Sequence, residues 1–358
     1  MILFILMNYI GSKLSLLDFL YESIMSVIDN NCHTFCDLFA GTGIVGRYFK
    51  SKNFSIIAND IQYYSYVLNK HYIENHKYLN FDGLCEEIKE LKETDIKEKY
   101  IIVCEYLNNI DYKKGFIYNN YSLGGTKDKE HKRIYFSDEN AMKCDAIRMK
   151  IEKWLNNKKI NENEYYFLLA SLLENIDRCA NTASVYGAFL KDIKKTASKT
   201  FNYCPCEFVI SDIEHKVYNE DANKLIENIE TDILYLDPPY NRRQYADNYH
   251  ILETISKYDN PVIKGKTGLR NDRIKSLYCN KNYVYDAFEE LINKANAKYI
   301  FLSYNNEGLL SLEDIKKIMS KKGKYGLFVK EYSRFKADSK RYNSASKTCE
   351  YLHYLIVK

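Results

Sequence analysis

Phe35-Cys36-Asp37-Leu38-Phe39-Ala40-Gly41-Thr42-Gly43-Ile44-Val45-Gly46 reads as a short buried strand, a glycine turn and the opening of an apolar helix. Its apolar residues run together instead of alternating, as in a strand covered on both faces. Residues 14–28 have helical spacing, and Ser55-Ile56-Ile57-Ala58 is a second strand closing on Asn59-Asp60. This alternation predicts an α/β domain whose parallel sheet is joined by right-handed crossovers. Gly41 and Gly43 let a ligand approach the backbone at the start of a helix, and Asp60 is placed to accept hydrogen bonds from ribose hydroxyls. The spacing G-x-G-x-x-G also fits dinucleotides, so the motif alone leaves NAD and FAD open beside other adenosine ligands.

Beyond Gln62 the pattern changes. Charged stretches with helical spacing dominate, clearest over 139–155 and 162–179, and a polar loop, Gly124-Gly125-Thr126-Lys127-Asp128-Lys129, interrupts them. Strand signals return at Phe208-Val209-Ile210, Lys216-Val217-Tyr218, 232–236 and 299–303, and alternating runs at 325–332 and 350–357 predict an antiparallel pair. One α/β domain, 1–62 with 205–358, is therefore expected to be split by a mostly helical insertion, 63–204.

Asp237-Pro238-Pro239-Tyr240 follows the apolar strand Asp232-Ile233-Leu234-Tyr235-Leu236 directly. Ligands of open α/β sheets gather at the carboxyl ends of strands, so this tetrapeptide should face a cleft. An exocyclic amine on a purine is a poor nucleophile, because its lone pair is delocalised into the ring. A carboxylate and a backbone carbonyl can accept its two N–H groups and favour the tetrahedral nitrogen needed for attack. Consecutive prolines fix the carbonyl's direction and add no competing N–H. Tyr240 offers a flat face for an extruded base. The chain has only 4 Pro, so a mere turn is a poor account of two of them here. In Asn8-Tyr9-Ile10-Gly11-Ser12-Lys13, Tyr9 could stack on an adenine and Lys13 could pair with a carboxylate.

Composition sets outer limits. With 46% hydrophobic and 15% aromatic residues, the 358-residue chain can build a large core, which excludes a disordered protein. A net charge of +4 is too mild to reveal a nucleic-acid partner by itself. Local runs are more lopsided: 257–281 holds Lys257, Lys264, Lys266, Arg270, Arg273, Lys275 and Lys281 against Asp259 and Asp272, and 321–347 is similar. Solvated loops and phosphate contacts both fit such runs. The 10 Cys form no CxxC pair, and Cys32, Cys36, Cys204 and Cys206 lack the second half of a zinc site, so reduced core thiols and no metal are expected. Residues 1–7 are too short to span a bilayer and lack a basic n-region; Met7 would serve equally as the start, and a cytoplasmic protein without membrane contact is expected.

Taken together, Tyr9-Ile10-Gly11-Ser12-Lys13, Phe39-Ala40-Gly41-Thr42-Gly43, Asn59-Asp60 and Asp237-Pro238-Pro239-Tyr240 resemble the alpha-group, Dam-like DNA N6-adenine methyltransferases, including modification methylases of type II restriction systems. The order of the motifs is shared, and the resemblance covers 8–62 and 205–358. It implies a Rossmann-like sheet that binds S-adenosyl-L-methionine and a helical target-recognition insertion. It makes Tyr9 and Lys13 cofactor and active-site contacts, places Phe39, Gly41 and Gly43 in the methionine-side loop, and counts Asp37 among the cofactor-binding residues. It makes Asp60 the ribose acid, Asp221 an acid touching the cofactor adenine, and Asp237 and Tyr240 the amine-binding and base-stacking residues. Tyr9 departs from the family, which more often has Trp there. Tyr186-Gly187-Ala188-Phe189-Leu190-Lys191 in the insertion also resembles relatives from restriction–modification systems.

The resemblance implies in-line methyl transfer to adenine N6 without a covalent enzyme intermediate, on double-stranded DNA whose target base is flipped. Arg242, Arg243, Lys264, Lys266 and Arg270 would then hold phosphates while 124–133 reads bases. A cognate restriction endonuclease is an implied partner. A ribosomal RNA methyltransferase, an inactive DNA-binding module and an NAD-dependent oxidoreductase stay open as rival readings. The long insertion argues against the first, and the intact Asp237, Gly41 and Gly43 argue against the second.

Overall fold

In the computed structural model, which describes residues 7, 9–333 and 347–358, the apolar run after His33 becomes strand β1, Thr34–Asp37. Residues 1–6, Asn8 and the part 334–346 of the second basic run lie outside the described residues. Phe35 and Cys36 are wholly buried, as a strand covered on both faces requires. Gly43 caps the next helix, Ile44–Lys50, which leads to β2, Ser55–Asn59. Strands β3, Lys216–Tyr218, β4, Glu230–Leu236, and β5, Asn296–Asn305, follow in parallel, and β6, Gly323–Ser333, and β7, Lys347–Val357, complete the sheet.

The order is β3-β2-β1-β4-β5-β7-β6. β7 runs antiparallel between β5 and β6, which is the terminal pair expected from alternation. The architecture is mixed α/β with a mostly parallel central sheet, consistent with a methyltransferase fold. Helices Val284–Lys294 and Leu312–Ser320 bury Phe288, Leu291, Ile315 and Ile318 in one cluster with Leu234, Leu236, Ile300 and Leu302 of the sheet.

The described chain falls into two compact units. The sheet unit is Ile10–Asn69, Ser211–Ala246 and Ile274–Lys358; the helical unit is Met1–Tyr9, Lys70–Ile210 and Asp247–Arg273. Residues 247–273, expected with the sheet half, belong to the helical unit. There Arg148 of helix Asp138–Asn156 donates to the carbonyls of Ile255 and Ser256, the last turn of helix His250–Lys257. The other long helix, Glu162–Arg178, begins with a capping box between Asn161 and Glu164.

Two local expectations change. Phe208-Val209-Ile210 forms no strand; the Phe208 ring packs 5.3 Å from His71 and 6.4 Å from Phe167 within the helical unit. Its apolar demand is met by side chains, so no ladder is needed. The loop expected from Gly124 begins as a helical turn, Leu123–Thr126, where a Cβ on Gly125 would come within 1.9 Å of the Tyr118 carbonyl. Among the described residues no helix is long and apolar enough to cross a membrane.

Candidate active site

The sheet reverses its winding between β1 and β4: β1 leads to β2 on one side, β4 to β5 on the other. At the carboxyl ends of this pair Asp37 lies opposite Tyr235, two residues before Asp237. A switch point of this kind opens a crevice where open α/β sheets hold ligands. The glycine turn and the proline tetrapeptide, far apart in sequence, are therefore neighbours here.

Local hydrogen bonds shape the turn. Gly41 and Gly43 take φ values of 53° and 76°, which favour glycine. Asp60 accepts the Gly41 N–H at 2.9 Å on one oxygen and the Gln62 N–H at 2.8 Å on the other. Asn69 donates to the Gly41 carbonyl at 3.0 Å, and a Cβ on Gly43 would come within 2.5 Å of its Oδ1. Buried Asn59 joins the turn to the loop after β3, donating to the carbonyls of Leu38 and Glu220 at 3.2 and 3.1 Å. Asp221 caps the helix Ala222–Leu225 through the N–H groups of Asn223 and Lys224.

Charge is concentrated at the strand ends. Lys13 Nζ lies 2.9 Å from Asp237 Oδ1 and 3.3 Å from Glu350 Oε1; the Lys13 and Glu350 side chains are 5% and 1% exposed, Asp237 18%. Burial disfavours the Lys13 ammonium, but Asp237 and Glu350 outweigh it and hold its pKa well above the usual lysine value. Burial raises Asp237 to about 6, Lys13 opposing and Glu350 assisting the rise. Asp37 is pushed up to about 8 by burial and then by the charges of Asp237 and Asp60. Its Oδ1, though buried, accepts no hydrogen bond among the described residues. Two carboxylates raised by one crevice are the mark of a site built to bind or react.

Comparison with known proteins decides the class. Residues 9–318 match the family described as D12 class N6 adenine-specific DNA methyltransferase. The chain belongs to this family.

Similar proteins include the type II methyltransferase M.NlaIII of Neisseria lactamica, 50% identical over 98% of this chain and 99% of its own length. The type II methyltransferase M.FokI of Planomicrobium okeanokoites is 42% identical over 98% of this chain, which spans 52% of that longer protein. M.CviAII of Paramecium bursaria Chlorella virus 1 is 37% identical over 92% of this chain and 93% of its own. The protein is an adenine-specific DNA methyltransferase by family, which removes the RNA-modifying and oxidoreductase readings.

In this D12 methyltransferase Lys13, Asp37, Gly41, Gly43, Asp60, Asp237 and Tyr240 all belong to the sheet unit, around the strand ends. Lys13 meets the carboxylate that its type suggested, and its ammonium stands 5.9 Å from the Tyr240 ring centroid. Tyr240 is half-buried and packs edge-on to Tyr304 at 6.0 Å, and Phe39 packs edge-on to Tyr278 at 5.1 Å. Tyr245 donates to the Ile10 carbonyl at 3.2 Å, tying the loop after the tetrapeptide to the segment that carries Lys13. Tyr9 belongs to the helical unit, its ring stacked on Tyr249 at 4.7 Å.

Of the cations expected on DNA, Arg242, Arg243, Lys264 and Lys266 are exposed. Arg270 is not: it is 1% exposed, and its guanidinium is consumed by Asp259 and Asp272, with bonds of 2.7–3.1 Å. The acidic residues counted only as charge balance in that run are its partners. Lys264 and Lys266 sit on the hairpin Ile263–Lys264 and Leu269–Arg270, whose turn is pinned from the 124–133 segment. Arg133 donates to the carbonyls of Gly265 and Lys266 at 2.9 and 3.1 Å.

The sequence gives no expectation for Asn69 or Glu350, nor for the bonding role of Asn59. Glu350 carried a usable signal: it shares the inward phase of Leu352 in an alternating strand, where a carboxylate is out of place without a partner. The two asparagines carried none, because their work is to bond carbonyls of turns remote in sequence.

Proposed function

We propose that the enzyme transfers a methyl group from S-adenosyl-L-methionine to N6 of a flipped adenine in double-stranded DNA, with Asp237 as the amine-binding residue. The observation that supports this most is the Lys13–Asp237 pair beside the glycine turn at the switch point. Asp237 is engaged on Oδ1, and among the described residues no hydrogen bond reaches Oδ2. That oxygen is available to an amine N–H, and a proline carbonyl of the tetrapeptide to the other. The Tyr240 face would stack on the extruded base.

The residues at the turn fit the cofactor. A buried carboxylate oxygen without a donor, as in Asp37, suits a ligand that brings N–H groups, and the methionine ammonium does so. Gly41 and Gly43 would let its chain pass close to the backbone, and Asp60, whose carboxylate is an acceptor, would take hydrogen bonds from ribose hydroxyls. Asp221 would touch the cofactor adenine, and Phe39 would lie at the methionine side. When bound, the cofactor supplies an electrophilic methyl on a sulfonium. Asp237 aligns the N6 lone pair with it; the alkylated nitrogen is acidic and gives its extra proton to Asp237 or water. The chain's contribution is alignment and polarisation, so no nucleophilic side chain is required.

Tyr9 would be a further cofactor contact, as the family resemblance implies. The helical unit, the target-recognition part of a Rossmann-like enzyme, would read bases, while Arg242, Arg243, Lys264 and Lys266 hold phosphates. The type II names of the relatives support a role in protecting DNA from a cognate restriction endonuclease in a bacterial or phage-encoded system, in the cytoplasm. The test is transfer of labelled methyl to duplex DNA followed by nucleoside analysis. N6-methyladenine made by wild type and not by Asp237→Ala supports the assignment. Product from both would remove it.

A further inference from the structure

A buried ammonium needs one counter-charge, and Asp237 provides it. Glu350 is nevertheless buried beside the same ammonium, at a desolvation cost of several kcal/mol in proteins generally. β5 and β7 pair Ser303 with Leu352 and Asn305 with Glu350, so Ser303 and Glu350 are diagonal neighbours on one face. The Ser303 hydroxyl donates to Glu350 Oε1 at 2.5 Å, the same oxygen that faces Lys13. Ser303 thus orients Glu350 Oε1 towards the ammonium.

We propose that Glu350 is a positioning residue for methyl transfer: it holds the Lys13 ammonium between two carboxylates and keeps Asp237 electron-rich towards the substrate amine. This rests on the reading of Asp237 as the amine's acceptor. The ammonium is shared between two acceptors, so it withdraws less from Asp237 than an exclusive pair would. The charge of Glu350 acts on Asp237 in the same sense, upwards. Among the described residues, the other titratable groups facing this cluster are Asp37 on β1, Asp60 after β2, Tyr235 on β4, Tyr240 in the tetrapeptide and Lys330 on β6, the cross-strand neighbour of Glu350. None of them bonds the ammonium, so Glu350 is the group that divides it.

The experiment uses the full chain with saturating S-adenosyl-L-methionine and a methylatable duplex, reading kcat between pH 4.5 and 9. Glu350→Gln keeps shape and removes charge. The acidic limb of kcat should move to lower pH, because a charge that raised Asp237 is gone. The plateau should fall about tenfold, with cofactor Kd within about twofold of wild type, the pattern of an interaction felt in the transition state. Glu350→Asp should return the limb to its original pH while leaving the plateau low. An unmoved limb with an unchanged plateau in Glu350→Gln overturns the proposal. If that variant does not fold, Ser303→Ala reports instead: a plateau lowered about threefold at unchanged cofactor Kd supports it, and wild-type behaviour overturns it. Asp237→Ala separates the two levels. Activity in Asp237→Ala removes the acceptor reading itself. Loss there, with a wild-type profile in Glu350→Gln, removes only the role of Glu350.

Discussion

Lys13 Nζ stands 2.9 Å from Asp237 Oδ1, across 224 residues of sequence. The pair joins the first motif of the chain to the last and sets the ionisation of the residue proposed to bind the amine. Asp237→Ala should lower kcat about 100- to 1000-fold, the loss of one aligned polar stabiliser at about 3–4 kcal/mol. DNA affinity should stay within about threefold, since phosphates carry most of it. Single-turnover rates and duplex binding on the same preparation check both halves.

The pH profile follows with its sign. Asp237 must be ionised to accept the amine, and its pKa lies near 6. Activity should therefore be lost as pH falls through about 6. Removing the cation in Lys13→Met should raise Asp237 further and move this limb to higher pH. A limb that moved downwards would mean that the titrating group is not Asp237.

Asp37 gives a second test. Its carboxyl is raised to about 8, so the folded apo protein holds a proton that the unfolded chain releases above its ordinary value near 4. Its contribution to stability thus declines as pH rises from about 4 to 8. Asp37→Asn should raise the apo melting temperature more at pH 8.5 than at pH 5, and should weaken cofactor binding. In wild type, an ammonium arriving beside Asp37 should expel the proton. Calorimetry of cofactor binding at pH 7 in buffers of different ionisation enthalpy should then show proton release, absent in Asp37→Asn.

Asp60→Ala should raise the Michaelis constant for the cofactor about tenfold or more, one charge-assisted hydrogen bond being worth about 1.5–3 kcal/mol. Losing the acceptor for Gly41 and Gln62 should also lower the melting temperature. At saturating cofactor, kcat should change little, because shared ground-state binding is what is lost. Steady-state kinetics at varied cofactor concentration will show whether the effect lies in the Michaelis constant or in kcat.

On the DNA side, Lys264→Gln with Lys266→Gln should weaken every duplex alike and reduce the log–log salt slope by about 2. Arg270→Ala should behave differently: stability falls and the slope holds, since the guanidinium is committed to Asp259 and Asp272. Arg133→Ala leaves both lysines in place but releases the turn between them, and should weaken DNA binding without altering the slope. Titrations at two salt concentrations, with thermal melts, separate the three.

Much of the sheet unit was legible because it obeys short-range rules. The run 35–46 announces strand, turn and helix, and β6 and β7 alternate as an antiparallel pair should. The residues of the two motifs were legible because glycine and proline declare their backbone roles. What escaped were partnerships across the chain. Arg270 in a basic run looks like a free cation until Asp259 and Asp272 fold onto it. Phe208-Val209-Ile210 has strand composition, yet its ring is satisfied by His71 and Phe167. The return of 247–273 to the helical unit is a tertiary fact carried by buried contacts such as Arg148 with Ile255.

The pairing of β1 with β4 also governs how the chain is made. Thr34 and Asp232, bonded at the start of these strands, are 198 residues apart. At a synthesis rate of about 5–20 residues per second, β4 leaves the ribosome about 10–40 seconds after β1. Throughout that interval β1 lacks the neighbour that covers one of its edges, and Phe35 and Cys36 lack part of their cover. The crevice that would carry the chemistry is thus absent from the nascent chain until Lys70–Ile210, the larger part of the helical unit, has been translated, and a bare strand edge awaits it meanwhile.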